Sequence, residues 1–290
     1  ALCIHICHDC NLRCKYCFAD EGTYKSRREF MSLETAKKAI DFLIENSGSR
    51  KILETDFFGG EPLMNFDVVK ETVAYAKEEA AKRGKKFLFT LTTNGLLLKD
   101  DVAEFLNNEM ENVVLSLDGR QEVHDAVRKT ANGKGSFDLV IENIKNFVRI
   151  RGDKHYYVRG TFTAKNLDFY KDVLFLADSG FDSISMEPVV TDIPDLAIGK
   201  EHLETVAAGY DALCDEYLNI FVYNNVVNYL IQFAVKLLFI PLVAGLSYEV
   251  LKLLAKSQSK ILLPVKAPGF LLQRLTTREP DDSMLEVAIA

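Results

Sequence analysis

Four cysteines fall within eleven residues of "CHDCNLRCKYCF" (7–18), in a chain that has only six. Cys7, Cys10, Cys14 and Cys17 are separated by two, three and two residues. Paired as Cys7–Cys10 and Cys14–Cys17, they make two C-x2-C knuckles, the form of a structural zinc site. Knuckles of the commonest pattern stand roughly 15–20 residues apart, so that each comes from its own turn. Dropping Cys7 leaves C-x3-C-x2-C, with Tyr16 just before the last cysteine. Three thiolates on one loop would leave one iron of a 4Fe–4S cube without a protein ligand, where four cysteines are usual. A small molecule would then take the fourth place. The spacing favours the cluster, with zinc as the standing alternative.

Around this loop, apolar runs alternate with amphipathic stretches. Strand patterns occupy 2–6, 51–60, 86–95, 112–119, 155–166 and 181–188. Helical patterns occupy 32–47, 67–84, 99–108, 136–150, 167–180 and 200–218. Ser32 is placed to cap the first helix, Ala36, Ile40, Phe42 and Leu43 to form its buried stripe, and Gly84 to stop the second. Strands alternating with 10–15-residue helices predict parallel βα units, and six units predict a partial (β/α)6 TIM-like barrel, open on one side. Parallel βα folds keep their chemistry at the C-terminal ends of the strands. The unusual residues stand there: the cysteine loop, "GGEP" (59–62), "TTNG" (92–95), "SLDG" (116–119) and "MEP" (186–188). All would face one cavity.

These motifs, in order and at these intervals, resemble the radical S-adenosylmethionine (SAM) superfamily over residues 1–218. "HDCNLRCKYCFA" together with "SLDG" and "HDAVRKTANGKGSFD" (124–138) is most similar to the maturases of ribosomal peptides, nearest the SCIFF thioether-forming branch, with anaerobic sulfatase maturases close by. The resemblance implies one 4Fe–4S cluster on Cys10, Cys14 and Cys17, with the methionine end of SAM on the fourth iron. It implies a 5′-deoxyadenosyl radical, a Cys-rich precursor peptide as substrate, and an electron donor such as flavodoxin or ferredoxin. It further implies that the Gly59–Gly60 backbone and Glu61 receive the methionine ammonium, with the glycines allowing close approach to the ligand, and that Tyr16 packs near adenine. Asn94, Ser116, Asp118, Arg128 and Glu187 follow as further SAM contacts: Ser116 and Asp118 for a ribose or carboxylate, and the Arg128 fork for the methionine carboxylate. The alternatives are formylglycine formation of the sulfatase-maturase kind, or an inactive iron–sulfur or zinc-binding scaffold. Cys3, His5, Cys7, His124 and Cys214 read as structural.

Composition sets the outer limits. The formal net charge is −7, with 48% hydrophobic and 27% charged residues, which suits a globular chain and gives no basic footprint for nucleic acid. Five of the six cysteines lie in the first 17 residues, unlike a secreted disulfide scaffold, so a reducing cytoplasm is expected. The opening "ALCIHIC" has no basic n-region and no Met, which reads as a chain without a signal peptide and as a fragment or trimmed form. Peptide-modifying relatives continue into a cysteine-rich domain with auxiliary clusters, whereas no cysteine follows Cys214 here. From residue 219 the pattern changes to an apolar, mostly helical appendage. Its 226–246 run has a spanning length but carries Asn228, Gln232, Lys236 and Pro241, so it reads as membrane-associated or buried. Residues 225–290 resemble an uncharacterised bacterial membrane-protein family, and the chain therefore reads as a radical SAM core (1–218) joined to an unrelated or truncated tail (219–290). Asp281 and Asp282 read as an exposed turn.

Overall fold

A computed structural model describes residues 1–218 and 230–231. The chain divides into two compact units, Ala1–Asp215 and Glu216–Ala290. The expectations for the 226–246 run and for Asp281 and Asp282 lie outside the described residues, apart from Leu230 and Ile231. Among the described residues no helix is long and apolar enough to cross a membrane.

The first unit is built on a six-stranded, all-parallel sheet. Its strands are β1 (Leu2–Cys7), β3 (Ile52–Gly59), β4 (Lys86–Thr93), β5 (Asn112–Ser116), β7 (Tyr156–Phe162) and β8 (Ile184–Pro188), in that spatial order. β1 and β8 are the two edges, so the sheet stays open. The connecting helices are α1 (Leu33–Glu45), α2 (Phe66–Lys82), α3 (Asp100–Glu109), α5 (Phe137–Arg151) and α6 (Tyr170–Asp178). Residues 203–218 are helical as well. This is the α/β fold that the strand and helix patterns predict. Alternation sets the two faces of the sheet: Leu53, Phe57, Phe87, Phe89, Leu91, Val113, Leu115 and Val158 join the core cluster, which also takes Ile40, Val73, Ala76, Leu106 and Ile144 from the helices. The opposite face carries Cys3, His5, Asp56, Thr92, Ser116 and Arg159, which are only partly covered or exposed.

Ser32 caps α1 by accepting from the Thr35 N–H at 3.2 Å. The buried stripe of α1 is Ala36, Ile40 and Ile44, whereas Phe42 is 62% exposed. Phe42 was expected on that stripe, but the i, i+4, i+8 row runs through 36, 40 and 44, and position 42 falls away from it.

Three elements were not legible in the sequence. β2 (Leu12–Cys14) and β6 (Arg128–Thr130) pair antiparallel in a separate two-stranded sheet, with Cys14 opposite Arg128. A short helix, α4 (Gln121–Val127), leads into β6. Strands of three residues are too short for a period to register. Their pairing carries the middle of the cysteine loop across to the segment after β5.

The start of that loop is held by β3. The Gly60 N–H donates to the Cys7 carbonyl at 2.8 Å, and the Glu61 N–H to the Asp9 carbonyl at 2.9 Å. The approach leaves no room for side chains: a Cβ on Gly59, at φ +131°, would stand 2.4 Å from the Cys7 oxygen, and one on Gly60 2.0 Å from the Asp9 oxygen. The two glycines thus make space for the cysteine loop's own backbone.

His124 organises the segment between β5 and β6 and is wholly buried. Its Nδ1 accepts from the Asp118 N–H at 3.4 Å, which leaves Nε2 to donate to Ser136 Oγ at 2.9 Å. Ser136 Oγ in turn donates to the Arg128 carbonyl at 2.8 Å. This relay needs a neutral ring, and burial holds the His124 imidazole down at about 4.

Two outcomes follow. Gly60→Ala forces the backbones of 9 and 60 apart and is expected to cost about 1–3 kcal/mol, as overpacking does, seen as a lower thermal midpoint; an unchanged midpoint would contradict the close approach. For His124, the unfolded chain takes up a proton as pH falls below about 6.5, whereas the folded chain resists protonation down to about 4. Stability therefore declines across that window by roughly 3 kcal/mol at most. In urea titrations His124→Asn is expected to flatten this acid-side slope, and an equally steep slope in the variant would count against the neutral relay.

Candidate functional site

The C-terminal ends of the parallel strands and the cysteine loop enclose a cavity of about 560 Å³. Cys10, Cys14 and Cys17 all line it, as do Tyr16, Gly59, Gly60, Glu61, Asn94, Ser116, Arg128 and Glu187. One expected member does not. Asp118 is fully buried behind the cavity wall.

The loop turns tightly at its centre, with the Cys17 N–H donating to the Cys14 carbonyl at 3.1 Å. Asn94 braces its first cysteine: Asn94 Nδ2 donates to Asn11 Oδ1 at 2.7 Å and lies 3.7 Å from Cys10 Sγ. The Leu12 N–H also points at Cys10 Sγ, at 3.4 Å. Cys7 stands apart from the other three. It is buried in the core beside Ile6, and its thiol donates to the Asp9 carbonyl at 3.2 Å.

Burial dominates the electrostatics. It pushes the Cys10 thiol up to about 12, helped by the Glu61 carboxylate, and the Cys14 thiol up to about 11, against the pull of the Arg128 guanidinium. Cys10 and Cys14 therefore favour the protonated thiol, and a metal bound through them must displace those protons. Glu61 is 1% exposed, and burial lifts its carboxyl to about 7 despite its hydrogen bonds. Its Oε1 accepts from the Leu63 N–H at 3.1 Å and from Thr93 Oγ1 at 2.9 Å, and its Oε2 accepts from the Asn94 N–H at 2.8 Å. It thereby ties the end of β3 to the end of β4.

The far wall is set by β7 and β8. Arg159 pairs with Glu187 across the two strands, and both side chains are partly exposed. Arg159 was not foreseen. Its signal is a cation standing between apolar residues in "YVRGTF", which puts it on the open face of the strand. Thr92 and Thr161 also line the wall, and Phe18, Phe58, Val189 and Val190 give the cavity an apolar side. Phe18 is 72% exposed and stacks on Phe58, with ring centroids 6.3 Å apart.

The donor set can be tested against the two metal readings. A four-thiolate zinc site needs Cys7 beside the other three, and Cys7 faces the core instead. Among the described residues no group of three or more His, Cys, Asp or Glu side chains stands ready to hold a metal ion. Three thiols on one loop, facing a cavity large enough to hold a further ligand, fit a cube with one open corner.

Comparison with known proteins agrees with this geometry. A family model described as the radical SAM superfamily matches residues 4–186, and one described as a protein of unknown function (DUF1385) matches residues 216–290. The serine-type anaerobic sulfatase-maturating enzyme of Bacteroides thetaiotaomicron is 35% identical over 214 residues, covering 71% of this chain and 50% of that enzyme. The cysteine-type enzyme of Clostridium novyi is 31% identical over 196 residues, covering 64% and 50%. The chain thus spans about half the length of these curated relatives. Among solved structures, native anSMEcpe with bound AdoMet superimposes with a TM-score of 0.68 at 19% identity, over 77% of this chain and 62% of that one, and so shares the fold. With the family model covering well over half of its residues and the same α/β fold in place, the chain belongs to the radical SAM superfamily, a membership that implies a 4Fe–4S cluster and SAM as its cofactors.

Proposed function

We propose that the first unit is a radical SAM enzyme holding one 4Fe–4S cluster on Cys10, Cys14 and Cys17, with SAM lying along the ends of β3, β4 and β5. The observation that carries this reading is the convergence of those three thiols, without Cys7, on one cavity floored by strand ends. When bound, the cluster and SAM supply a one-electron cleavage of the sulfonium to methionine and a 5′-deoxyadenosyl radical.

The protein's part is placement and exclusion of water. Glu61 offers the methionine ammonium a buried carboxylate, with Oε2 carrying only the Asn94 N–H. Ser116, at the end of β5, and Glu187, near the end of β8, bring polar groups to the cavity. The Tyr16 ring forms part of the wall beside the third cysteine and suits the adenine. Phe18, Phe58 and Val190 shield the cavity's apolar side.

For substrate we propose a peptide, supported by anSMEcpe, whose structure is known with AdoMet and a Cp18Cys peptide, and by the two relatives named as sulfatase-maturating enzymes. Thioether crosslinking of a Cys-rich ribosomal peptide is the finer reading, supported by the resemblance of "HDCNLRCKYCFA" and "HDAVRKTANGKGSFD" to the thioether-forming maturases. Formylglycine formation is the second reading, supported by the names of the relatives. An electron donor such as flavodoxin or ferredoxin, a cytoplasmic location, and a tail at 219–290 that is foreign to the catalytic core complete the proposal.

The cluster assignment is tested by iron content. Anaerobically reconstituted chain is expected to carry about four irons, the content of one cube. Cys10→Ala, Cys14→Ala and Cys17→Ala should each abolish loading, and Cys7→Ala should keep it. Loss of iron in the Cys7 variant, or stoichiometric zinc in the anaerobic chain, would overturn the three-cysteine site.

A further inference from the structure

Asp118 and Arg128 were expected to meet SAM, yet the contacts around them describe a different task. Asp118 Oδ2 accepts from the Tyr16 hydroxyl at 2.6 Å and from Arg128 Nε at 3.0 Å. Its Oδ1 accepts from Arg128 Nη2 at 3.1 Å and from the Thr161 N–H at 3.0 Å. Four donors occupy the roughly four acceptor sites of a carboxylate, so this group has none left for a ribose or a methionine carboxylate. The Arg128 fork is likewise spent on Asp118 as a bidentate pair. The guanidinium also lies 5.5 Å from the centre of the Tyr16 ring, a cation–π distance.

The donors come from places far apart in the chain. Tyr16 belongs to the cysteine loop and is 102 residues from Asp118 in sequence. Arg128 begins β6 and stands opposite Cys14 in the β2–β6 pair. Thr161 is on β7. Asp118 follows the end of β5, and its own N–H is held by His124. One buried carboxylate thus gathers the loop residue between the second and third cysteines, the strand paired with the second cysteine, and the barrel wall.

We propose that Tyr16, Asp118 and Arg128 are a positioning latch, with Asp118 as its hub, that fixes Cys14 and Cys17 in the geometry the cluster needs. The latch acts on the cysteine loop: it takes up Asp118 and the Arg128 fork, and SAM contact is left to the Tyr16 ring and to other residues of the cavity. This rests on the three-cysteine site proposed above.

The test uses the full chain, reconstituted anaerobically and challenged with an iron chelator in the absence of SAM, with release followed by the cluster's visible absorbance. Tyr16→Phe and Asp118→Asn are expected to release iron at least about tenfold faster than the parent chain, the scale of one hydrogen bond to a charged group. Ile40→Val, in α1 and remote from the loop, serves as the control for a general loss of stability, and thermal midpoints of the iron-free chains are compared. Should Asp118→Asn fail to fold, Tyr16→Phe decides alone, since it removes a single hydroxyl. Iron release unchanged while SAM affinity falls would make Asp118 a cofactor contact and overturn the latch. Equally fast release from an Ile40→Val chain of matching thermal midpoint would overturn it too. A parent chain that loads no iron would instead refute the cluster site itself, a result separate from either of these.

Discussion

The site depends on a backbone contact that leaves no space for a side chain. Gly60 and Glu61 bring two successive N–H groups against the carbonyls of Cys7 and Asp9, and these contacts hold the path by which the loop that bears the cysteines leaves β1. Once the path is fixed, Cys7 turns into the core and Cys10 turns out toward the cavity. Two buried carboxylates then hold the flanks. Glu61 joins β3 to β4 behind Cys10, and Asp118 joins the loop's far end to β6 and β7. A buried charge is tolerable only when its hydrogen bonds are made, and both groups are surrounded by donors from separate elements. The expense of burying them is offset only when those elements come together, which couples the shape of the loop to completion of the sheet.

Much of this was legible in the sequence because βα units announce themselves by period. Apolar strands alternating with amphipathic helices gave the parallel sheet, and the rule that chemistry gathers at strand C-termini put the cysteine loop, "GGEP", "TTNG" and "SLDG" on one cavity. What stayed hidden was pairing at long range. β2 and β6 have three residues each, and nothing local in "LRC" or "RKT" signals that one will find the other. Arg128 read as a free fork for a different reason: its partner, Asp118, lies only ten residues away, but behind an unforeseen helical turn. Arg159 was missed because a single inward cation in an apolar strand looks, in one dimension, like any other strand residue. The glycines of "GGEP" were right in kind, since both positions exclude a Cβ, and the neighbour that excludes it is the loop's own backbone.

All of the candidate site residues lie between Cys10 and Glu187, within the first compact unit and in near-complete coincidence with the radical SAM match at 4–186. The second unit starts at Glu216, where the separate family match begins. Within the first unit, the peptide substrate is a question for the β7–β8 wall. There Arg159 and Glu187 present a charge pair beside the apolar side formed by Phe18, Phe58 and Val190.

The central claim is that this cavity binds SAM on a three-cysteine cluster and cleaves it. Its most direct measure is the product of a single reaction mixture: the anaerobically reconstituted chain, a strong one-electron reductant and SAM, analysed for methionine and 5′-deoxyadenosine. The account predicts that both appear in equal amounts and that neither forms when the reductant is left out. A chain that carries its four irons, is reduced in the presence of SAM and yields no 5′-deoxyadenosine would contradict it.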